Sequence, residues 1–166
     1  MIGNDIVDLT LAEKQSNWQR RGFVDKIFTT KEKLLIQLAD KPEIMVWSLW
    51  SRKEAVYKIF NRCTNIRAFN PLQFECFETK LVDGQHLGKV ICKSITYFTK
   101  TEINTEWINT IAVSIEKDFL NVYPLKRAAT IRIKRGMPFI YDEGNLTLKP
   151  ISISNHGRFE RIVGLI

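Results

Sequence analysis

The hydrophobic pattern of this chain changes near Asn70 and Pro71, and this change restricts the fold class more than any other feature. Before it, apolar residues recur at helical spacing after a short opening strand. After it, β-branched and aromatic residues dominate, as they do in strands, and Asp83 and Gly84 provide a turn between the first two strands. The order of a strand, helices and then strands predicts an α+β fold with helices packed on a mainly antiparallel sheet.

Three helical segments are predicted before this change. The first covers 11–21 and ends before a glycine. Thr29 and Glu32 are spaced as a capping box, which predicts a helix over 31–39. The third helix covers about 43–62 and carries large apolar residues on more than one face, so we expect it to be buried on several sides.

The C-terminal part is predicted to consist of short strands joined by irregular segments. A linker is expected around 123–129 and a turn at 142–145. The closing strand at 151–154 is followed by the polar stretch NHGRF and an apolar run at 162–166. That run belongs either to the core or to a subunit interface, and the core is the more common location.

Size and charge limit the classes of function. The 166 residues and 45% hydrophobic content are typical of one core, so we expect a single domain over 1–166. A net charge of +7 favours an acidic partner, although the basic residues are dispersed rather than in one block.

The start has no secretion signal, and no apolar run reaches the roughly 20 residues of a membrane span. The three separated cysteines form no disulfide framework. We therefore expect a cytoplasmic protein with no membrane partner.

Glu54 and Lys58 lie four residues apart and therefore share a face of the predicted long helix. An exposed ion pair at this spacing is common and stabilises a helix by only about 0.3–0.5 kcal/mol. Two tryptophans and several large aliphatic residues flank the pair, however. This setting favours a narrow polar seam on a buried helix, where a carboxylate needs a cation or a hydrogen-bond donor.

Asp5 provides a second carboxylate, in the predicted first strand. Mg²⁺ prefers oxygen ligands and usually binds one or two carboxylates, which leaves positions for water and phosphate. Asp5 and Glu54 fit that number. The alternative for Asp5 is the more common role of a helix cap or of an acid at a strand end.

Four short motifs follow one another along the chain. Gly3 and Asp5 form a Gly-x-Asp pattern, and Trp50 precedes a Lys-Glu-Ala triplet that is followed by Lys58. Each motif alone is weak, but their order is similar to that of the 4'-phosphopantetheinyl transferase superfamily, in particular its short, holo-acyl-carrier-protein-synthase-like branch. The other matching residues are Phe23, Ile27, Phe28, Thr29, Glu32, Gly136, Pro138 and the closing strand from Ile151 to Ser154.

This resemblance implies an enzyme that transfers 4'-phosphopantetheine from coenzyme A to a serine of an apo acyl (or peptidyl) carrier protein and releases adenosine 3',5'-bisphosphate. It implies that Asp5 and Glu54 bind Mg²⁺, and that Lys58 stabilises or protonates the departing phosphate. Asp5, Glu54 and Lys58 are thus the catalytic candidates. The candidates for contact with coenzyme A are Lys53, Ser154, Asn155 and His156.

The chain departs from the family pattern in two places. The closing motif has Asn155 where the family has histidine, so either His156 contacts a coenzyme A phosphate or Asn155 replaces the histidine as a neutral donor. After the first motif, the short branch usually has a basic residue, whereas this chain has Leu11 and, later, Lys14. Asp8 is a candidate for orienting water, and the serine proton passes either to water or to a carboxylate.

The resemblance also has implications for partners. The long branch of the family places two similar halves in one chain, and this chain has one. We therefore expect a homo-oligomer, with a trimer favoured, whose sites lie at subunit interfaces. The strands at 73–116 carry no family motif, and we interpret them as an insertion that serves a particular partner.

Two other functions remain open. An inactive family member that binds a carrier protein would explain the altered closing motif, and a nucleic-acid-binding domain would explain the charge. The aromatic residues lie mainly in apolar strands rather than among arginines, so we expect no nucleic-acid partner. An acidic acyl carrier protein and coenzyme A are the expected partners.

Overall fold

The structure is a computed structural model that describes residues 1–127, 131–142, 144 and 146–166. Its described residues form two antiparallel sheets and four α-helices, which confirms the predicted α+β class. The first elements are β1 (Ile2–Asp8), α1 (Leu9–Gln15), α2 (Phe23–Ile27), α3 (Thr30–Leu38), α4 (Pro42–Thr64), β2 (Glu75–Cys76), β3 (Lys80–Val82), β4 (Gln85–Cys92), β5 (Ile95–Ile103) and β6 (Trp107–Val113). The remaining strands are β7 (Val122–Leu125), β8 (Ile131–Lys134), β9 (Met137–Asp142), β10 (Thr147–His156) and β11 (Phe159–Leu165).

The first sheet has the strand order β1-β6-β5-β4-β2, and β3 pairs with β4. The predicted turn at Asp83 and Gly84 joins β3 to β4. The φ values of these two residues are 48° and 75°, as expected for a type I′ hairpin turn. Asp5 lies opposite Thr110 in the pairing of β1 with β6. The opening strand is therefore held along one edge by the last strand of the same sheet.

The second sheet has the order β7-β11-β10-β9-β8. The predicted linker is wrong over 123–125, because these residues belong to strand β7, which pairs with β11. A proline within that segment concealed the strand, since proline lowers strand propensity in a sequence pattern. Ala128 and Ala129 of the linker, and Glu143 and Asn145 of the predicted turn, lie outside the described residues.

Helix α4 crosses the first sheet and packs against β1 and β6. It begins with Pro42 in its first turn, a position where the missing N–H costs nothing. Gly3 allows the close approach of β1, because a Cβ at this residue would lie 2.0 Å from the carbonyl oxygen of Ala55. The helix is buried on several sides, as predicted, and its buried apolar residues are Val46, Trp47, Leu49, Ala55, Val56, Ile59 and Phe60. Within the described part of the chain, no helix is long and apolar enough to cross a membrane.

The two shorter predicted helices had different outcomes. The capping box is confirmed, since Thr29 N–H donates to Glu32 Oε2 at 2.8 Å and Glu32 N–H donates to Thr29 Oγ1 at 3.4 Å. The prediction of one helix over 11–21 is wrong. Helix α1 begins at Leu9, after the N-cap Asp8, and ends at Gln15. Gly22, which was predicted to end this helix, is the N-cap of α2.

Candidate active site

Four of the candidate site residues line one cleft of 310 Å³ and come from three separate elements. Asp5 comes from β1, Glu54 from α4, and Asn155 and His156 from the end of β10. The sequence distances between these residues are large, so the two sheets and α4 together create the site. The other lining residues are mainly apolar and are Ile6, Val7, Ala12, Ser16, Phe23, Ile27, Trp47 and Trp50.

Both carboxyl groups of the cleft have a raised pKa. Burial raises the pKa of Asp5 above its usual range, while the Lys58 ammonium opposes this change. Burial and then the nearby Asp5 carboxylate raise the pKa of Glu54 to about 7. Two desolvated carboxylates that repel each other are stabilised by a cation between them.

Lys58 lies beside this carboxyl pair. Its Nζ is 3.8 Å from Asp5 Oδ1 and donates hydrogen bonds to the carbonyl oxygens of Asn4, at 2.5 Å, and Ile153, at 3.2 Å. Burial lowers the pKa of Lys58, whereas the two nearby carboxyl groups raise it. The ammonium is thus fixed by β1 and β10 on a side chain that remains 31% exposed.

The donor set of the cleft fits Mg²⁺. Asp5 and Glu54 supply hard oxygen atoms, and burial, which disfavours their charged forms, raises the pKa of both. Among the described residues, no group of three or more acidic, histidine or cysteine side chains is arranged to bind a metal. Two carboxylates leave most coordination positions for water and phosphate, which is the usual arrangement of Mg²⁺ in phosphate-transfer sites.

The three candidates at the end of β10 have different surroundings. The His156 ring accepts a hydrogen bond at Nδ1 from the Asp8 N–H at 2.8 Å, so its proton is carried by Nε2. Asn155 is exposed and lines the cleft beside it. Ser154 does not line the cleft, because its buried hydroxyl accepts a hydrogen bond from Asn4 Nδ2 at 2.8 Å. The geometry gives Ser154 a structural contact rather than the predicted contact with coenzyme A.

Lys53 is placed away from the cleft, which corrects its prediction as a coenzyme A contact. Its side chain is fully buried, its Nζ lies 2.8 Å from Glu32 Oε2, and it donates to the carbonyl oxygens of Pro71 and Phe74. Adjacent residues of a helix point about 100° apart, so Lys53 faces the α3 side while Glu54 faces the cleft. Glu32 also accepts from the Cys76 N–H at 2.7 Å. The pair therefore joins α3, α4 and β2.

Asp8 has a structural role that the sequence interpretation missed. It caps α1 by accepting from the Leu11 N–H and also pairs with Arg158, whose Nε lies 2.9 Å from Asp8 Oδ2. Hydrogen bonds from Arg158 hold the pKa of Asp8 well below its usual range. The pairing of Arg158 with Asp8 was not predicted. The available signal in the sequence was the position of Arg158 in a tight turn after the closing motif.

Comparison with known families gives one match. A sequence model of the 4'-phosphopantetheinyl transferase superfamily matches residues 1–115, which includes Asp5, Glu54 and Lys58. The chain belongs to this superfamily. A search of curated proteins found no match to the chain.

The extent of the match bears on two further features. It runs through nearly all of 73–116, which argues against our interpretation of that sheet as an insertion. It ends before the second sheet, so Asn155 and His156 come from a part of the chain that the family match does not reach. Membership supports a transferase that moves phosphopantetheinyl groups in general.

Proposed function

We propose that this protein is a 4'-phosphopantetheinyl transferase that converts an apo acyl (or peptidyl) carrier protein into its holo form. Coenzyme A is the donor, a serine of the carrier is the acceptor, and adenosine 3',5'-bisphosphate is the second product. The proposed enzyme is one domain over 1–166 and acts in the cytoplasm. The observation that carries the proposal is that Asp5 and Glu54 line one cleft, with the Lys58 ammonium 3.8 Å from Asp5, in a member of this superfamily.

Asp5 and Glu54 are the proposed ligands of Mg²⁺. When bound, Mg²⁺ would neutralise phosphate charge, which is the main requirement of phosphoryl transfer besides positioning. The raised pKa values of both carboxyl groups support this role, because a nearby divalent charge removes the cost of ionising two buried acids side by side. Both ligands project from rigid elements, β1 and α4.

Lys58 is proposed to act on the leaving group. The serine oxygen forms a bond to the β-phosphorus of coenzyme A while the bond from that phosphorus to the bridging oxygen of the pyrophosphate breaks, and the serine proton passes to water or to a carboxylate. Negative charge then develops on the departing 5'-phosphate of adenosine 3',5'-bisphosphate. The Lys58 ammonium lies beside Asp5 and supplies either charge stabilisation or a proton at this point.

The remaining walls of the cleft suit the substrate. His156 presents Nε2–H as a hydrogen-bond donor, because its Nδ1 is occupied by the Asp8 N–H, and Asn155 provides a neutral amide beside it. We propose that both contact phosphates of coenzyme A. The apolar residues Phe23, Trp47 and Trp50 provide a surface for the pantetheine arm. The net charge of +7 favours encounter with an acidic carrier protein.

The experiment that tests this function measures product release. Purified protein is incubated with coenzyme A, Mg²⁺ and an apo carrier protein, and adenosine 3',5'-bisphosphate is quantified by chromatography. We expect release that requires the carrier, fails with a carrier whose acceptor serine is alanine, and stops when Mg²⁺ is chelated.

Two control variants make the result specific. Glu54→Gln should abolish release, whereas Glu116→Gln, at an exposed acid outside the cleft, should not change it. If the protein binds coenzyme A but releases no adenosine 3',5'-bisphosphate with any of several unrelated carriers, the result would favour the alternative of an inactive member that binds a carrier protein. A thermal shift with oligonucleotides, but not with coenzyme A and Mg²⁺, would favour a nucleic-acid-binding domain.

A further inference from the structure

The face of α4 that points away from the candidate active site borders a second pocket, of 610 Å³. Ser48 and Arg52 both line this pocket and lie four residues apart, so they share one face of the helix. Arg52 and Glu54 are two residues apart, which is a rotation of about 200° around the helix axis. The other walls come from α3, from residues 77–79, and from β4 and β5. The pocket is therefore separate from the cleft of Asp5 and Glu54.

Arg52 is a buried cation without a carboxylate partner. It is 2% exposed, and its Nε and Nη2 donate to two neutral oxygens, Thr99 Oγ1 at 3.2 Å and the Lys89 carbonyl oxygen at 2.8 Å. Within the part of the chain that the structure describes, Arg52 forms no ion pair. Glu32, a buried acid of α3, is already paired with Lys53 at 2.8 Å. A buried ion without a counter-charge is costly, so this guanidinium favours the binding of an anion.

Gly88 in β4 provides the space for the guanidinium. A Cβ at this residue would lie 2.5 Å from Arg52 Nη2 and 2.8 Å from the methyl carbon of Thr79. The close approach of the β4 backbone and the hydrogen bonds to β4 and β5 fix the position of the Arg52 head. A donor that is already fixed loses little conformational entropy when a ligand binds, which favours affinity.

Two hydrogen-bond donors of the pocket have no acceptor. Arg52 Nη1 and Ser48 Oγ form no hydrogen bond with any of the described residues. Neither atom is sealed from solvent, so both face the pocket that their residues line. Ser48 is only 7% exposed, which places the two donors inside the pocket rather than on the open surface. An anion at this point would accept hydrogen bonds from both donors and supply the missing negative charge.

The walls around these donors are suited to an aliphatic chain. Leu35, Ile44, Met45 and Ile103 line the pocket with apolar groups. Leu38 lines it as well and is 74% exposed, so its side chain lies where the pocket opens to solvent. Burial of this apolar surface by a ligand would favour binding. A ligand with one anionic end and an apolar body matches both parts of the pocket.

The charges around the pocket favour an anion with a single charge. The lining residues include two exposed acids, Asp40 and Glu78, and one exposed lysine, Lys41. A phosphate dianion would be repelled by both acids, whereas a carboxylate carries the one charge that a single guanidinium balances. His86 also lines the pocket, with its Nδ1 3.4 Å from Thr79 Oγ1, and adds a polar group to the same wall.

We propose that this pocket binds a small carboxylate with an aliphatic chain, of the kind found in medium-chain fatty acids. The carboxylate contacts Arg52 and Ser48, and the chain follows the apolar walls toward Leu38. This is a second binding site, on the face of α4 that the proposed transfer reaction does not use. The inference therefore does not depend on the proposed function.

Titration calorimetry with sodium octanoate tests the proposal. We expect octanoate to bind the wild-type protein. Acetate should bind at least about tenfold more weakly because it lacks the chain. Octan-1-ol should also bind at least about tenfold more weakly, because it lacks the charge that Arg52 neutralises. Inorganic phosphate, which has no chain and a second charge, should bind more weakly than octanoate.

Two variants locate the bound octanoate. Arg52→Met removes the cation and should weaken octanoate binding by about tenfold or more. Leu38→Glu places a carboxylate at an exposed position of the pocket and should weaken octanoate binding by about threefold or more through repulsion. Leu120→Glu is the matched control, because Leu120 is 89% exposed and lies outside the pocket. Lys58→Ala, in the other cleft, should leave octanoate binding unchanged.

Several results would overturn the proposal. These are no binding of octanoate, unchanged octanoate binding in a folded Arg52→Met protein, and loss of octanoate binding in Lys58→Ala. Binding of phosphate or acetate as tight as that of octanoate would overturn the proposed class of ligand. Thermal unfolding without ligand shows whether each variant folds. If Arg52→Met does not fold, Leu38→Glu decides, and unchanged octanoate binding in that variant would overturn the proposal.

Discussion

Lys58 Nζ lies 3.8 Å from Oδ1 of Asp5, and this pair connects the long helix with the opening strand. Burial disfavours the charged form of both groups, so their attraction mainly offsets this cost and contributes little to the free energy of unfolding. Its importance is positional, because it fixes a cation beside the two carboxyl groups of the cleft. The site therefore contains a pair whose loss should affect chemistry more than folding.

Substitution of Lys58 should reduce transfer without unfolding the protein. Lys58→Ala is expected to lower kcat by about 100-fold or more, because a positioned donor stabilises the charge that develops on the leaving group. We expect a smaller change in KM for coenzyme A, and Lys58→Arg should recover little activity because its planar guanidinium does not reproduce a compact ammonium. Lys117→Ala, at an exposed position, is the control. Unchanged kcat in Lys58→Ala would contradict the proposed role.

The pH dependence of stability should reflect Glu54. Its pKa rises from 4.5 to about 7 in the folded protein, so the folded state retains a proton that the unfolded state releases between these values. The stabilisation of the folded state by protonated Glu54 is fully present below about pH 4.5 and is lost as the pH rises through 7. The free energy of unfolding without metal should therefore fall over this range. Thermal unfolding of wild type and Glu54→Gln in chelator at pH 5.5 and 8 measures the difference.

Glu54→Gln should be relatively more stable at pH 8 than at pH 5.5 when each is compared with wild type. Mg²⁺ should stabilise the wild-type protein more at pH 8, because protons compete with the metal for Glu54 at lower pH. The Gln variant should lack this response. An equal response to Mg²⁺ in both proteins would exclude Glu54 as a ligand.

Substitution of Lys53 should affect the stability of the fold rather than the binding of coenzyme A. Lys53→Met leaves Glu32 buried without its cation and is expected to cost about 3–5 kcal/mol of unfolding free energy. The double variant Lys53→Met, Glu32→Gln should recover part of this loss. Lys33→Met removes a more exposed ion pair with Asp25 and should cost less than about 1 kcal/mol. Denaturant titration measures all three, and a stable Lys53→Met with weakened coenzyme A binding would restore its predicted role.

A side chain at Gly3 should separate β1 from α4. The Cβ of Gly3→Ala would lie 2.0 Å from the Ala55 carbonyl oxygen, and backbone atoms must move to relieve this contact. We expect a loss of about 1–3 kcal/mol in stability and a weaker response to Mg²⁺, because Asp5 moves with the strand. Ile2→Val, a small change on the same strand, is the control. Normal stability in Gly3→Ala would contradict the close approach.

Features set by local sequence were predictable. The capping box of Thr29 and Glu32 and the long helix follow from spacing within a few residues. The shared face of Glu54 and Lys58 follows from helical periodicity in the same way. The first helix was misplaced because its polar pattern continues up to Gly22, whereas the helix begins after the N-cap Asp8 and ends at Gln15.

Features set by contacts distant in sequence were not predictable. Lys53 belongs to a recognisable motif, but its partners Glu32, Pro71 and Phe74 are brought to it by folding. The role of Asn4 depends equally on a sheet formed at the other end of the chain. The meeting of Asp5 with Glu54 was inferred from the family resemblance, and spacing alone carries no such information.

The most direct test of the central claim is the intact mass of an apo carrier protein after incubation with this protein, coenzyme A and Mg²⁺. The account predicts a gain of one phosphopantetheine group on the carrier, which is lost with Glu54→Gln and on chelation of the metal. If none of several unrelated carrier proteins gains mass, and the protein does not bind coenzyme A, the account is contradicted.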